Sequence, residues 1–258
     1  MCLFPKKIGH EYGGTEVACG RCIECLEHQS TEWAFRCVLE AQQHEQNCLI
    51  TLTYKNEPPE LIKKDYQDFL KRLRSRLSPI KIRYFGSGEY GSQNGRPHYH
   101  FIIFGWRPDD LELLYTKGIS RYYKSRFLET IWSHGFVNVT DVTLDSAKYV
   151  AKYLQKMLSF KDGRQPPFIT QSTHPGIGFN AIDARDLVDD CIIIKGRRIP
   201  LPRYFLKQLK ENGGEDLEEL RERRGRLRQF SRIQNSPDRR EARLDALIKK
   251  FGKIAKKH

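Results

Sequence analysis

The sequence predicts an α+β fold, a central antiparallel sheet with flanking helices. Three observations carry that expectation. Strand-like runs rich in β-branched residues alternate with helix-period segments; two consecutive runs are joined by turn residues and so must be antiparallel neighbours; the other strands are linked through helices. A 258-residue chain that is 39% hydrophobic and 30% charged has the composition of a globular protein with room for one sizeable core.

The elements follow in order. "STEWAFRCVLEAQQHEQ" opens with a Ser30 or Thr31 cap and places Trp33, Val38 and Ala41 on one helical stripe. "CLITLTY" (Cys48 to Tyr54) reads as a strand that stops at Pro58 and Pro59. "DYQDFLKRLRSRL" starts at Asp65, carries Phe69, Leu70, Leu73 and Leu77 at 3.6 spacing, and ends before Pro79. "IKIRYFGSGE" and "HYHFIIFGW" form a long hairpin through Asn94-Gly95 and Pro97. "SRYYKSRFLETIWSHG" is expected to be a helix stopped by Gly135, "FVNVTDVT" a strand, and "DSAKYVAKYLQKML" a helix capped by Asp145. The order from residue 31 is therefore α, β, α, β, β, α, β, α.

Three segments divide the chain: a Cys-rich stretch over residues 1–30, the α+β domain over 31–206 with a loop-rich end, and a basic helical tail over 207–258. The tail holds 16 Lys or Arg against 9 Asp or Glu. The whole chain carries +13, which points to a polyanionic partner, because each neutralised phosphate releases counterions. Nucleic acid is the first expectation and an anionic membrane surface the second. No apolar run approaches the roughly 18 residues needed to span a bilayer, and "MCLFPKKIGHEYGG" lacks the apolar centre of a secretory signal. Seven cysteines, an odd number, suit a reduced compartment better than a disulfide framework. The expected location is the cytoplasm, with no membrane partner.

The chemistry gathers around "GRPHYHFIIFG". Alternate residues of a strand share a face, so His98 and His100 project together and Tyr99 points the other way. Glu89, on the other arm of the hairpin, can approach them across strands about 5 Å apart. Two imidazoles and a carboxylate leave open positions on a divalent ion, a mixed site suited to Mn²⁺ or Mg²⁺. Each piece alone is more often packing or a solvated turn. In "AKYVAKYLQK" Tyr149 and Tyr153 lie at i and i+4 on one helical face, beside a stripe of Lys148, Lys152 and Lys156. A tyrosine hydroxyl can attack a phosphodiester when a metal polarises the phosphate and an ammonium offsets the developing charge.

"RPHYHFIIF" followed some fifty residues later by "YVAKY" resembles the HUH (His-hydrophobic-His) endonucleases, specifically the two-tyrosine initiators of rolling-circle replication. With "MCL", "CGRCIEC", "ITLTY", "GEYG" and "PGIG", the chain is similar over roughly residues 1 to 205 to the initiators of gokushovirus-type single-stranded DNA phages. The resemblance implies an HUH or RRM-like sheet and a metal held by His98, His100 and Glu89. It further implies nucleophilic Tyr149 and Tyr153, and Lys152 near the scissile phosphate. The implied reaction nicks one strand of the replicative-form origin through a 5′-phosphotyrosine, and a second cleavage and ligation circularises the displaced strand. Lys148, Lys156 and Arg96 would contact DNA, single- and double-stranded, in the cytoplasm of a bacterial host, alongside a host helicase and polymerase.

Two other readings stay open at this level. One is a non-catalytic single-stranded nucleic-acid-binding protein whose sheet stacks bases on Tyr54, Tyr84 and Phe85. The other is an HUH relaxase or transposase of a mobile element. Separately, "CGRCIEC" spaces Cys19, Cys22 and Cys25 for thiolate coordination of structural Zn²⁺, with Cys2 or His28 as fourth ligand, or for three buried thiols.

Overall fold

A computed structural model describes residues 2–9, 15–91, 94–159, 163–179, 181–182, 191–194, 197–211 and 236–251. It divides into two compact units, Gln29–Gly178 and a second made of Met1–His28 with Phe179–His258.

The expected α+β class with a central antiparallel sheet is what the first unit has. Its strands are β3 (Asn47–Tyr54), β4 (Arg83–Tyr90), β5 (Pro97–Phe104), β6 (Glu112–Lys117), β7 (Ser120–Lys124), β8 (Gly135–Thr140) and β9 (Phe168–Gln171). They form one sheet in the order β6-β7-β8-β3-β5-β4-β9, every pairing antiparallel. Alternation sends Ile50, Leu52, Tyr99, Phe101 and Ile103 to one face. There they pack with Tyr66, Phe69, Leu70 and Leu73 of α2 (Lys63–Leu77) and with Leu128, Ile131 and Trp132 of α3 (Arg126–Trp132). Leu49, Phe85, Ile102 and Phe104 line the opposite face. They are covered by Ala34 and Cys37 of α1 (Ile23–Gln42) and by Ala147, Val150 and Ala151 of α4 (Leu144–Ser159). A sheet buried on both sides explains the near-continuous apolar runs of β3 and β5.

Four expectations need correction. The first helix does not start at Ser30 or Thr31 but at Ile23; Ser30 lies inside it and its hydroxyl donates to the Ala151 carbonyl at 3.0 Å, tying α1 to α4. Asp65 does not cap α2, which begins two residues earlier; it accepts the Tyr54 hydroxyl at 2.7 Å. The segment expected to be one helix over 120–135 is a strand, β7, and then a short helix capped by Ser125, whose hydroxyl accepts the Leu128 N–H at 3.2 Å. Finally α4 is fastened not by Asp145 but by Thr143 and Ser146. Each side-chain oxygen accepts the other's backbone N–H, at 2.7 and 3.1 Å, a reciprocal capping box.

The second unit contains the two-stranded sheets β1 (Lys6–Ile8) with β2 (Thr15–Val17) and β10 (Cys191–Ile194) with β11 (Arg197–Pro200). Its helices beyond the start of α1 are α5 (Arg203–Glu211) and α6 (Pro237–Phe251). Among the described residues no helix is long and apolar enough to cross a membrane.

Candidate functional site

Register puts the two histidines at the centre of the large sheet. His98 on β5 stands between Thr53 of β3 and Glu89 of β4; His100 stands between Thr51 and Ser87. All six side chains lie on the α1 and α4 face, since the intervening residues pack on the other one. Glu89 is almost fully buried, and one of its oxygens lies 2.8 Å from His98 Nε2 and 3.4 Å from His100 Nε2. The ligand atoms of the three residues fall within 4.8 Å of one another.

The outer nitrogens of both rings are anchored. His98 Nδ1 donates to the Arg96 carbonyl at 3.0 Å, which leaves the Nε2 lone pair for a ligand. His100 Nδ1 lies 3.0 Å from the Thr51 hydroxyl. Ser87, opposite His100, is fully buried, and its hydroxyl has no hydrogen-bond partner among the described residues. A buried hydroxyl left unpaired costs about 1–3 kcal/mol, so its presence here is the mark of a site that a ligand completes. One carboxylate, two anchored imidazoles and this hydroxyl fit a divalent cation with nitrogen and oxygen ligands.

Tyr149 lies on α4 where that helix crosses β4, β5 and β9. Its ring is half exposed and meets His100 edge-on, with centroids 5.4 Å apart. Lys148 beside it is exposed. The backbone of Lys152, Tyr153 and Lys156 belongs to α4, but their side chains lie outside the described residues. Arg96 pairs with Glu57 at 2.8 Å and is itself more than half exposed.

Tyr99 contrasts with Tyr149. It is fully buried on the far face, within 2.9 Å of the Tyr54 hydroxyl and of the Ile62 N–H and carbonyl. Burial pushes its phenol up to about 12, so it stays a neutral hydroxyl at physiological pH. The base-stacking platform of Tyr54, Tyr84 and Phe85 is not available: Phe85 is fully buried, Tyr54 almost so, and Tyr84 is half-buried under its neighbours. Helices on both faces leave the sheet no open side over these residues.

In the second unit, the thiols of Cys2, Cys19, Cys22 and Cys25 also fall within 4.8 Å of one another. His28 is not in the group and is exposed. Burial works to raise the Cys19 thiol, but hydrogen bonds from the Arg21 and Cys22 N–H outweigh it and bring it down to about 7.

Thr51 and Ser87 escaped the sequence reading. A signal for both existed: once Glu89 is set opposite His98, antiparallel register places Ser87 opposite His100, two residues back on the same face.

Fold and site together define an antiparallel α+β protein built around a His-hydrophobic-His strand. Comparison with known proteins narrows this. The family model for the ORF2-type replication-associated protein matches residues 47–158, which contain β3 to β8 and almost all of α4. The replication-associated protein VP4 of Bdellovibrio phage phiMH2K is 33% identical over 228 residues, covering 80% of this chain and 71% of that protein. The replication-associated protein ORF4 of Chlamydia phage 1 is 34% identical over 221 residues, covering 78% of this chain and 55% of that protein. The ORF2 replication-associated protein of Spiroplasma virus 4 is 30% identical over 236 residues, 82% of this chain and 73% of that protein. No solved structure matches. The chain belongs to the replication-associated proteins of microvirus-type phages.

Proposed function

We propose that the chain initiates rolling-circle replication by nicking one strand of a double-stranded replicative-form DNA at its origin. The observation that carries this reading is the half-exposed Tyr149 ring against His100, at the edge of the Glu89, His98 and His100 cluster. Glu89, His98 and His100 hold the divalent ion, Mg²⁺ or Mn²⁺, whose charge polarises the scissile phosphate when it is bound. Tyr149 or Tyr153 supplies the nucleophile: its oxygen forms a bond to phosphorus, the bond from phosphorus to the 3′ oxygen breaks, and that oxygen takes up a proton. The chain is left joined to a 5′ phosphate, and the free 3′-OH primes synthesis. Because the phosphotyrosine keeps the energy of a phosphodiester, the second tyrosine and a new 3′-OH can repeat the exchange and close the displaced strand into a circle without a nucleotide cofactor.

Lys152 sits by the scissile phosphate in this reading, while Lys148, Lys156 and Arg96 contact the backbone of single- and double-stranded DNA. The reaction belongs in the bacterial cytoplasm, where a host helicase and polymerase extend the fork. The four thiolates of the other cluster suit structural Zn²⁺ and stand outside the cleavage chemistry.

The test is an origin oligonucleotide labelled on the 5′ side of each candidate nick and on the 3′ side in parallel, incubated with protein and Mn²⁺ and run on a denaturing gel. A protein adduct carrying only the 3′-side fragment is expected, abolished by EDTA and by Tyr149→Phe/Tyr153→Phe. Tight binding with no adduct from any origin segment would overturn the reading.

A further inference from the structure

We propose that Cys2, Cys19, Cys22 and Cys25 bind one Zn²⁺ and that this zinc knuckle is the platform on which the C-terminal helix α6 is held. The sulfurs carry the first half. Four thiolates around zinc at about 2.3 Å stand roughly 3.8 Å apart along the tetrahedron's edges. Here Cys2 to Cys22 is 3.9 Å, Cys19 to Cys25 is 3.9 Å and Cys22 to Cys25 is 3.4 Å, all four being free thiols. An iron-sulfur cluster would need each sulfur on a separate iron and so a wider cage.

The backbone around the sulfurs is arranged to stabilise charge on them. The Cys19 N–H donates to Cys2 Sγ at 3.2 Å, and the Arg21 and Cys22 N–H groups donate to Cys19 Sγ at 3.4 and 3.3 Å. The sequence builds this from three pieces: Cys2 just before β1, Cys19 just after β2, and Cys22 and Cys25 in the opening turns of α1. It also explains why α1 begins at Ile23, well before the Ser30 cap.

The second half rests on what covers the cluster. Its buried members are Cys2, Leu3, Cys22 and Cys25, a core too small to persist on apolar burial alone. Leu244 and Leu247 of α6 pack against it. Arg240 pairs with Glu16 of β2 at 2.6 Å and Arg243 with Glu24 of α1 at 3.0 Å. Residues 240, 243, 244 and 247 are one helical stripe, and among the described side chains of α6 they are the half-buried ones on a helix otherwise exposed. Zinc that orders the knuckle therefore orders the landing site of a basic helix more than 200 residues away in sequence.

The experiment uses the full chain, purified under reducing conditions from zinc-supplemented medium, with metal content by mass spectrometry and hydrogen exchange of residues 237–251. Expected are one zinc per chain, its loss in Cys22→Ser, and at least tenfold faster exchange over 237–251 after a zinc chelator. Leu244→Ser/Leu247→Ser should speed exchange in α6 while keeping one zinc, which separates loss of docking from loss of the knuckle or of folding. His98→Ala/His100→Ala should keep both the zinc and the protection, so failure of the cleavage reading leaves this one standing. A reduced chain that takes up no zinc, or α6 exchange that is unchanged by the chelator, would overturn the proposal.

Discussion

Thr51→Val removes the hydroxyl that anchors His100 while keeping the side chain's shape. In the sheet Thr51 and His100 are cross-strand partners, and Oγ1 lies 3.0 Å from Nδ1, the ring nitrogen turned away from Glu89. A hydrogen bond of this kind contributes about 1 kcal/mol to stability. Its larger effect is on the ion, because an anchored outer nitrogen holds the ring in position; loss of such a partner weakens metal binding about 10–100-fold, or about 1.4–2.7 kcal/mol. His98 keeps its own anchor, the Arg96 carbonyl, and Glu89 is untouched, so the low end applies. The expected result is about tenfold weaker Mn²⁺ binding, read by electron paramagnetic resonance titration of free Mn²⁺. Thr51→Ser, which restores the hydroxyl, should bind within about threefold of the unaltered chain. If Thr51→Val binds Mn²⁺ within about twofold of the unaltered chain, the hydroxyl does not position His100 and the reasoning fails.

Other residues give sharp expectations of their own. Ser87→Ala removes a buried hydroxyl that has no partner among the described residues, so the metal-free protein should gain about 1 kcal/mol in urea unfolding while Mn²⁺ binds more weakly; a metal-free loss of stability would contradict this. Glu40→Ala strips the carboxylate that accepts Arg83 Nε and the Gly178 N–H, the latter at 2.6 Å. The unpaired guanidinium should cost about 3–5 kcal/mol, and a loss under about 1 kcal/mol would show the pair to be incidental. Burial alone would raise the Asp110 carboxyl, but the Phe127 N–H at 2.8 Å and the Ser125 hydroxyl at 2.6 Å outweigh it and hold it below the ordinary 3.8. Its contribution is therefore present above the unfolded value and lost as pH falls through the folded one. A carboxyl carbon NMR titration should find that midpoint below 3.8, and one at or above it would refute the assignment.

Sequence patterns revealed the elements whose side chains face a single environment. The stripe of Phe69, Leu70, Leu73 and Leu77 marked α2 because one face of that helix meets the sheet and the other meets water. The β6–β7 hairpin was hidden because its apolar residues are not in a core: Leu113, Leu114 and Tyr115 are exposed, and Tyr115 stacks on Tyr122 across the hairpin rather than under a helix. Without burial there is no alternation to read, and "SRYYKSRF" passes for helix. The start of α1 was missed for a different reason. It is set by cysteines converging from three chain segments, and no local cap records that convergence.

Legibility of the candidate site divides along the same line. His98 and His100 were visible through their spacing, and Glu89 through the length of the hairpin that returns it. The partners that make those three residues more than a polar patch come from β3, 49 residues before His100, and no local spacing specifies that pairing. The pairing is fixed by burial: a one-residue slip of β5 against β3 would carry Tyr99, Phe101 and Ile103 to the α1 and α4 face and the histidines into the α2 core. The imidazoles are thus held in register by the aromatic residues between them. A variant that loosens that packing should lose metal affinity without touching a ligand.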